Sequence, residues 1–200
     1  DSSITVYESN RHIPYVDLND FITLIDGAIE TDDLMIETDG GLVLITYEYK
    51  APGSVFDNET YTLMLDFDNN QATVSHFDFF TSFQAETQTD FGEGLDYVDA
   101  VIERFEPITF DLSRYRIELN YHDGAHLMPL TLANLFFSGS MYDVYYNGSL
   151  YGVDTYQLLD GSETLNQLRP ANVQAMPDAL KQATYHYLVF TFDYFYGLKE

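Results

Sequence analysis

The strongest constraint on this chain is an order of signals that it carries twice. Near the N-terminus, Ile4-Thr5-Val6-Tyr7-Glu8 is β-branched and aromatic, Ser9-Asn10-Arg11 turns it, and Pro14 breaks the chain. Leu18, Phe21, Ile22 and Ile25 then fall at i, i+3, i+4 and i+7. The first part reads as a strand. The second reads as one face of a helix, with Asp17 as N-cap and Asp26-Gly27 as its end. Later, Tyr115 to Tyr121 alternates like a strand, His122-Asp123-Gly124 turns, and Pro129 follows. There Thr131 is expected to cap a short helix with Leu132, Leu135 and Phe136 on one face. The two apolar triplets match at a constant offset, and a hairpin follows each helix. One short helix and a few strands cannot close a core alone. Two such units are therefore expected to share one.

The hairpins carry their own signals. Leu34 to Thr38 and Leu42 to Tyr47 flank Asp39-Gly40-Gly41, where Asp-Gly supplies the positive φ of a tight turn. Tyr61 to Phe67 and Gln71 to Phe77 flank Asp68-Asn69-Asn70, and Val144 to Tyr146 and Leu150 to Val153 flank Asn147-Gly148-Ser149. Leu95, Val98, Ile102 and Phe105 predict a short helix closed by Pro107, with Ile108 to Leu112 extended beyond it. Residues 78–93 show no usable period. The last helix is expected from Asp178 to Tyr196, with Leu180, Ala183, Tyr187, Phe190 and Tyr194 on one face and Gly197 as its stop. From Tyr185 onward it is apolar nearly all round, which suits burial on more than one side. The expected class is α+β: two related strand–helix–hairpin subdomains with antiparallel sheets, plus a C-terminal aromatic helix. The first subdomain spans 1–106 and the second 107–160; residues 161–200 form a connector and helix leading to a further domain.

Composition narrows the function. An apolar fraction of 46%, with 17 Tyr, 15 Phe and no Trp, supports a packed core. Eight Lys and Arg against 33 Asp and Glu give a formal charge of −25. That field repels nucleic acid and anionic lipid, which excludes both as partners. Solubility explains the acidity, with diffuse cation binding as the alternative. The absence of Cys excludes disulfides, thiolate zinc sites and a Cys nucleophile. No run of about 18 apolar residues occurs, so membrane insertion by this chain is not expected. The sequence opens at Asp1 without a basic or apolar leader, as a mature chain or a piece of a longer one would.

Candidate chemistry is sparse. Asp66-Phe67-Asp68-Asn69-Asn70 starts like a calcium loop but has Gln71 and Phe77 where Gly and Glu belong, so a hairpin turn explains it better. His122 and His126 lie across a turn and offer two zinc ligands where a catalytic site needs three. Asp17 with Asp20, and Asp32 with Asp33, are the pairs of acids that 33 carboxylates produce by chance. No Gly-x-Ser-x-Gly elbow or Gly-rich phosphate loop is present. Lys50, Lys181 and Lys199 sit in polar or terminal surroundings, unlike the lysine of a Ser–Lys dyad. Asn58-Glu59-Thr60 and Asn147-Gly148-Ser149 match glycosylation acceptors and carry no conclusion. No catalytic, cofactor-binding or metal residue is assigned, and no cofactor is expected.

Four runs together resemble a known family: Phe110 to Ile117, Met128-Pro129-Leu130 to Phe136, Tyr145 to Gly152, and Tyr194 to Leu198. They are similar to the region before the catalytic domain in secreted C-terminal-processing (tail-specific) serine peptidase-like proteins of Gram-positive and related bacteria. Each half also resembles the strand–Pro–helix–hairpin unit of copper amine oxidase N-terminal-like domains. The resemblance implies a non-catalytic N-terminal part of an extracellular or lipid-anchored protein, whose partner is a C-terminal peptidase domain. No position matches the surroundings of that family's Ser and Lys. The alternative is a free-standing extracellular module for peptide or wall polymer, with Tyr145, Tyr146 and Tyr151 stacking on the ligand.

Overall fold

In the computed structural model, which describes residues 4–9, 12–26, 31–49, 59–82, 106–138, 142–147, 150–154 and 176–195, the N-terminal unit has its expected strand and helix, but Pro14 opens a second strand between them instead of breaking the chain. Val6–Glu8 (β1) and Pro14–Asp17 (β2) pair antiparallel, and Leu18–Ile25 (α1) follows at once. Asp17 makes that switch. Its Oδ1 accepts from the backbone N–H of Asn19 at 3.0 Å and of Asp20 at 3.3 Å, partnering donors that a first helical turn leaves free. Leu18, Phe21, Ile22 and Ile25 are all buried.

Leu34–Asp39 (β3), Leu42–Tyr49 (β4), Glu59–Asp66 (β5), Gln71–Val74 (β6) and Ile108–Asp111 (β7) form an antiparallel sheet in sequence order, with the short helix Phe79–Ser82 (α2) before the last strand. Asp39 pairs with Leu42, so Gly40 and Gly41 alone make the first turn. Only Gly40 has positive φ, +58°, the sign pattern of a type II′ hairpin turn. The turn between β5 and β6 is held by Asp66, whose Oδ1 and Oδ2 accept from the N–H and side-chain amide of Asn69. Those bonds hold the Asp66 carboxyl below its usual pKa.

The second unit departs from expectation in two places. Tyr115 to Tyr121 is not one strand. Leu112–Tyr115 is a 3₁₀ turn closed by Arg116 in the left-handed region, and only Asn120–His122 (β8) pairs in a sheet. The inward positions Tyr115, Ile117 and Leu119 are buried all the same. For the Ile117 carbonyl and the Leu119 N–H the backbone partner is a side chain. Asn70 Nδ2 donates to the Ile117 carbonyl, and Asn70 Oδ1 accepts from Leu119 N–H, each at 2.6 Å. The second departure is the helix start. Ala125–Pro129 (β9) runs straight into Leu130–Ala133 (α3), which widens into a π turn over Asn134–Ser138. Pro129 occupies the cap position, and Thr131 is exposed inside the helix rather than capping it. Leu132 and Phe136 are buried and Leu135 is half-buried. The prolines are not equivalent either, since Pro14 opens β2 and Pro129 closes β9.

Tyr142–Tyr146 (β10) and Leu150–Asp154 (β11) form the last hairpin, and Asp178–Tyr194 (α4) is the C-terminal helix. Asn134 repeats the device of Asn70: its amide donates to the Val144 carbonyl at 2.9 Å and accepts from Val144 N–H at 3.0 Å. The predicted helix around Leu95 to Phe105, residues 83–93 and the Gly197 stop lie outside the described residues.

The two units meet strand to strand. The sheet order is β1-β2-β9-β8, and β2 pairs antiparallel with β9 through Tyr15–Pro129, Val16–Met128 and Asp17–Leu127. Asp17 Oδ2 also accepts from His126 N–H at 2.9 Å. Both larger sheets therefore join strands from 1–106 with strands from 107–160. The fold is α+β, with antiparallel sheets of four, five and two strands and an aromatic C-terminal helix. One cluster collects α1, α3, the inner face of β3–β7 and Phe190 of α4. At its centre the rings of Phe80, Phe110, Phe136 and Phe190 meet at about the spacing aromatic pairs prefer. Helix α4 is less enclosed than its composition suggests. Phe190 is its one fully buried side chain among those described, while Tyr185, Leu188 and Phe192 are exposed. No described helix is long and apolar enough to cross a membrane.

Candidate functional site

The residues that the sequence offers for chemistry are not brought together. His122 is exposed beside Asp123 at 3.1 Å. His126 is buried, and its Nε2 lies 2.8 Å from the Gly40 carbonyl. A carbonyl only accepts, so Nε2 carries the proton there. The ring stacks on Tyr121 and meets Phe67 edge-on, tying β9 to the β3–β4 turn. His126 is thus a strut between sheets. The carboxylate of Asp17 is occupied by its three N–H donors, and Asp20, Asp32 and Asp33 are exposed. Asp66 to Asn70 form the β5–β6 turn and its hydrogen bonds. Lys181 pairs with Asp178 at 2.9 Å on the surface; Lys50, Lys199 and Asn58 lie outside the described residues. Among the described residues no group of three His, Asp or Glu side chains is placed to hold a metal ion.

One surface does collect unusual residues. Residues paired across an antiparallel sheet point to the same side, so the register fixes the outer face of β3–β7. One lateral row reads Asp39, Leu42, Asp66, Gln71, Asp111; the next reads Glu37, Leu44, Met64, Thr73, Thr109; a third reads Met35, Thr46, Thr62. Glu48 continues this face beyond Thr46. The inner-face positions Val43, Ile45, Leu63, Leu65, Ala72, Val74 and Phe110 are buried. On the outer face Met35 is 51% exposed, Leu42 40%, Leu44 37% and Met64 40%. Single exposed apolar residues are ordinary, but a contiguous group rimmed by polar ones marks an interaction site. Sequence reasoning missed it because Leu42-Val43-Leu44-Ile45 has the continuous apolar run of a strand buried on both faces.

A second cluster carries the clearest upward carboxyl shift. Asp143 on β10 is half-buried and accepts from the Tyr145 hydroxyl at 3.2 Å. Burial pushes its carboxyl up, against the smaller opposing effect of the Tyr145 bond. Burial also drives the Tyr187 hydroxyl of α4 up to about 12, and the Asp143 charge adds to that. A carboxyl raised in the folded state disfavours folding once ionised. The penalty is absent below the unfolded pKa, grows as pH rises toward the folded one, and is complete above it. Asp143→Asn, which keeps an oxygen for Tyr145, is therefore expected to melt higher than wild type at pH 7. The difference should shrink as pH falls into the carboxyl range. Thermal melts at several pH values check this, and a variant that melts lower at pH 7 contradicts it.

Compared with known proteins, the sequence matches no family model and no curated protein, and the fold matches no solved structure.

Proposed function

We propose that this chain is a non-catalytic docking module: the N-terminal part of a secreted or surface-anchored serine peptidase-like protein that positions a partner or substrate for a peptidase domain of the same protein. The observation that carries this reading is the outer face of β3–β7, a broad surface of apolar side chains framed by carboxylates. Its shape suits contact with another macromolecule rather than enclosure of a small substrate, for which concave pockets are the rule. The residue runs that resemble the region preceding the catalytic domain of tail-specific peptidases support the same assignment, together with its extracellular or lipid-anchored location. The exposed rings of Tyr145 and Tyr146 beside the last hairpin turn favour a second reading, a free-standing module that stacks on peptide or wall polymer.

One measurement tests the non-catalytic assignment that both readings share, and a second separates the readings. The purified chain, incubated with casein or with unstructured C-terminal peptides, is expected to leave them intact. The native reading frame is expected to encode a serine peptidase domain within a few hundred residues of Glu200. Specific cleavage that survives repurification contradicts the non-catalytic assignment. A frame without a peptidase domain replaces the first reading with the second.

A further inference from the structure

We infer that the outer face of β3–β7 docks a basic polypeptide, one that presents aliphatic side chains between Lys or Arg residues. The inference rests on the docking reading above and adds the partner's chemistry to it. The centre of the face is aliphatic. Leu44 and Met64 are direct cross-strand partners, Leu42 lies beside them on the next row, and Met35 lies on the row beyond. The frame is anionic: Asp39, Asp66 and Asp111 occupy one row, Glu37 ends the next, and Glu48 is the last outward position of β4. The five strands contain no Lys, Arg or His at all, so no basic side chain of the sheet itself neutralises these acids.

Size and charge select the partner. Strands lie about 4.8 Å apart, which puts Asp39 on β3 and Asp111 on β7 roughly 19 Å from each other. A small amine cannot meet both while covering Leu44 and Met64; an extended segment or a helix of a polypeptide can. A second copy of this chain would bring the same carboxylates face to face at a formal charge of −25 each, and like charges across an interface suppress association. An anionic polymer or lipid surface meets the same repulsion. A basic polypeptide gains twice, by burying the aliphatic centre and by matching the rim, which steers its approach.

Because any polycation is drawn to so acidic a protein, the test must separate the face from its field. Two synthetic heptapeptides of equal charge serve as probes, one alternating Lys with Leu and one alternating Lys with Ser. Each is titrated into isotope-labelled protein at about 0.15 M salt, where exposed charges more than roughly 8 Å apart are largely screened. Amide shifts are followed by NMR. The Lys/Leu peptide is expected to bind about tenfold tighter than the Lys/Ser peptide, the scale of one buried aliphatic side chain. Its shifts should map to β3, β4 and β5. The double variant Leu44→Ser/Met64→Ser should retain the wild-type amide pattern elsewhere and bring the two affinities together. Glu37→Lys/Glu48→Lys should weaken both peptides. Equal affinities in the wild-type protein overturn the inference, as does a shift map centred elsewhere, for example on Tyr185 and Leu188 of α4. The shift map needs no variant, so a variant that fails to fold does not rescue the claim. Cleavage assays and the reading frame test the docking reading separately. Failure here with those intact removes the basic partner and leaves the module.

Discussion

Replacing Phe136 with Ala is expected to lower stability by about 3–5 kcal/mol, the range for a large aromatic removed from a packed core. Phe136 is fully buried, and its ring lies 5.1 Å from Phe80, 6.2 Å from Phe110 and 6.1 Å from Phe195 between centroids. These neighbours come from α2, β7 and the end of α4. The cavity would open where the second unit meets the five-stranded sheet and the C-terminal helix, and three separate elements cannot easily collapse into it. Phe21, fully buried on α1, should show a loss of the same order. Urea unfolding at constant slope measures both. A loss below about 1 kcal/mol at Phe136 would mean that the cluster is loose, since truncations of packed aromatics cost several times that.

The second large effect is expected at a residue with no apolar content. Asn70→Ala leaves the Ile117 carbonyl and the Leu119 N–H without the partners they have at 2.6 Å. Part-buried backbone groups stripped of their bonds should cost roughly 2–4 kcal/mol together. Asn70 also sits at φ +55°, a left-handed conformation that Asn tolerates better than Ala. Asn70→Asp separates the terms. It keeps an acceptor for Leu119 N–H and tolerates the left-handed backbone, but it cannot donate to Ile117. It should therefore fall between wild type and Ala. If Asn70→Ala is silent by urea unfolding, the segment 112–119 is held without the Asn70 amide, by its buried side chains and by backbone bonds such as Leu112 N–H to the Asn70 carbonyl.

These residues also mark where the sequence stops being readable. Local signals were legible: the spacing of Leu18, Phe21, Ile22 and Ile25 gave a helix, and Asp123-Gly124 takes positive φ at both positions between β8 and β9, as an Asp-Gly turn should. Tyr115 to Tyr121 misled because alternating burial looks the same whether a strand or an asparagine amide supplies the backbone partner. Pro129 misled because its fixed φ suits the end of a strand as well as the approach to a helix, so the helix begins at Leu130, before the expected Thr131 cap. The repeat of strand, turn and helix was visible. The pairing of β2 with β9 was not, for it joins residues 15–17 to 127–129, and no short-range pattern encodes that. The exposed apolar face was hidden by its own strands, whose outward Leu44 and Met64 are as apolar as their inward neighbours.

Solvent exposure of the methionine methyls tests the arrangement of faces most directly. With methyl-labelled methionine and a neutral soluble paramagnetic probe, the signals of Met35 and Met64 should be strongly attenuated, since both point outward from the five-stranded sheet. Met128 should be spared, because it is fully buried on β9 opposite Val16. Protection of Met64, or attenuation of Met128, would contradict a fold in which paired hairpin–helix units close the core and leave the acid-rimmed face open.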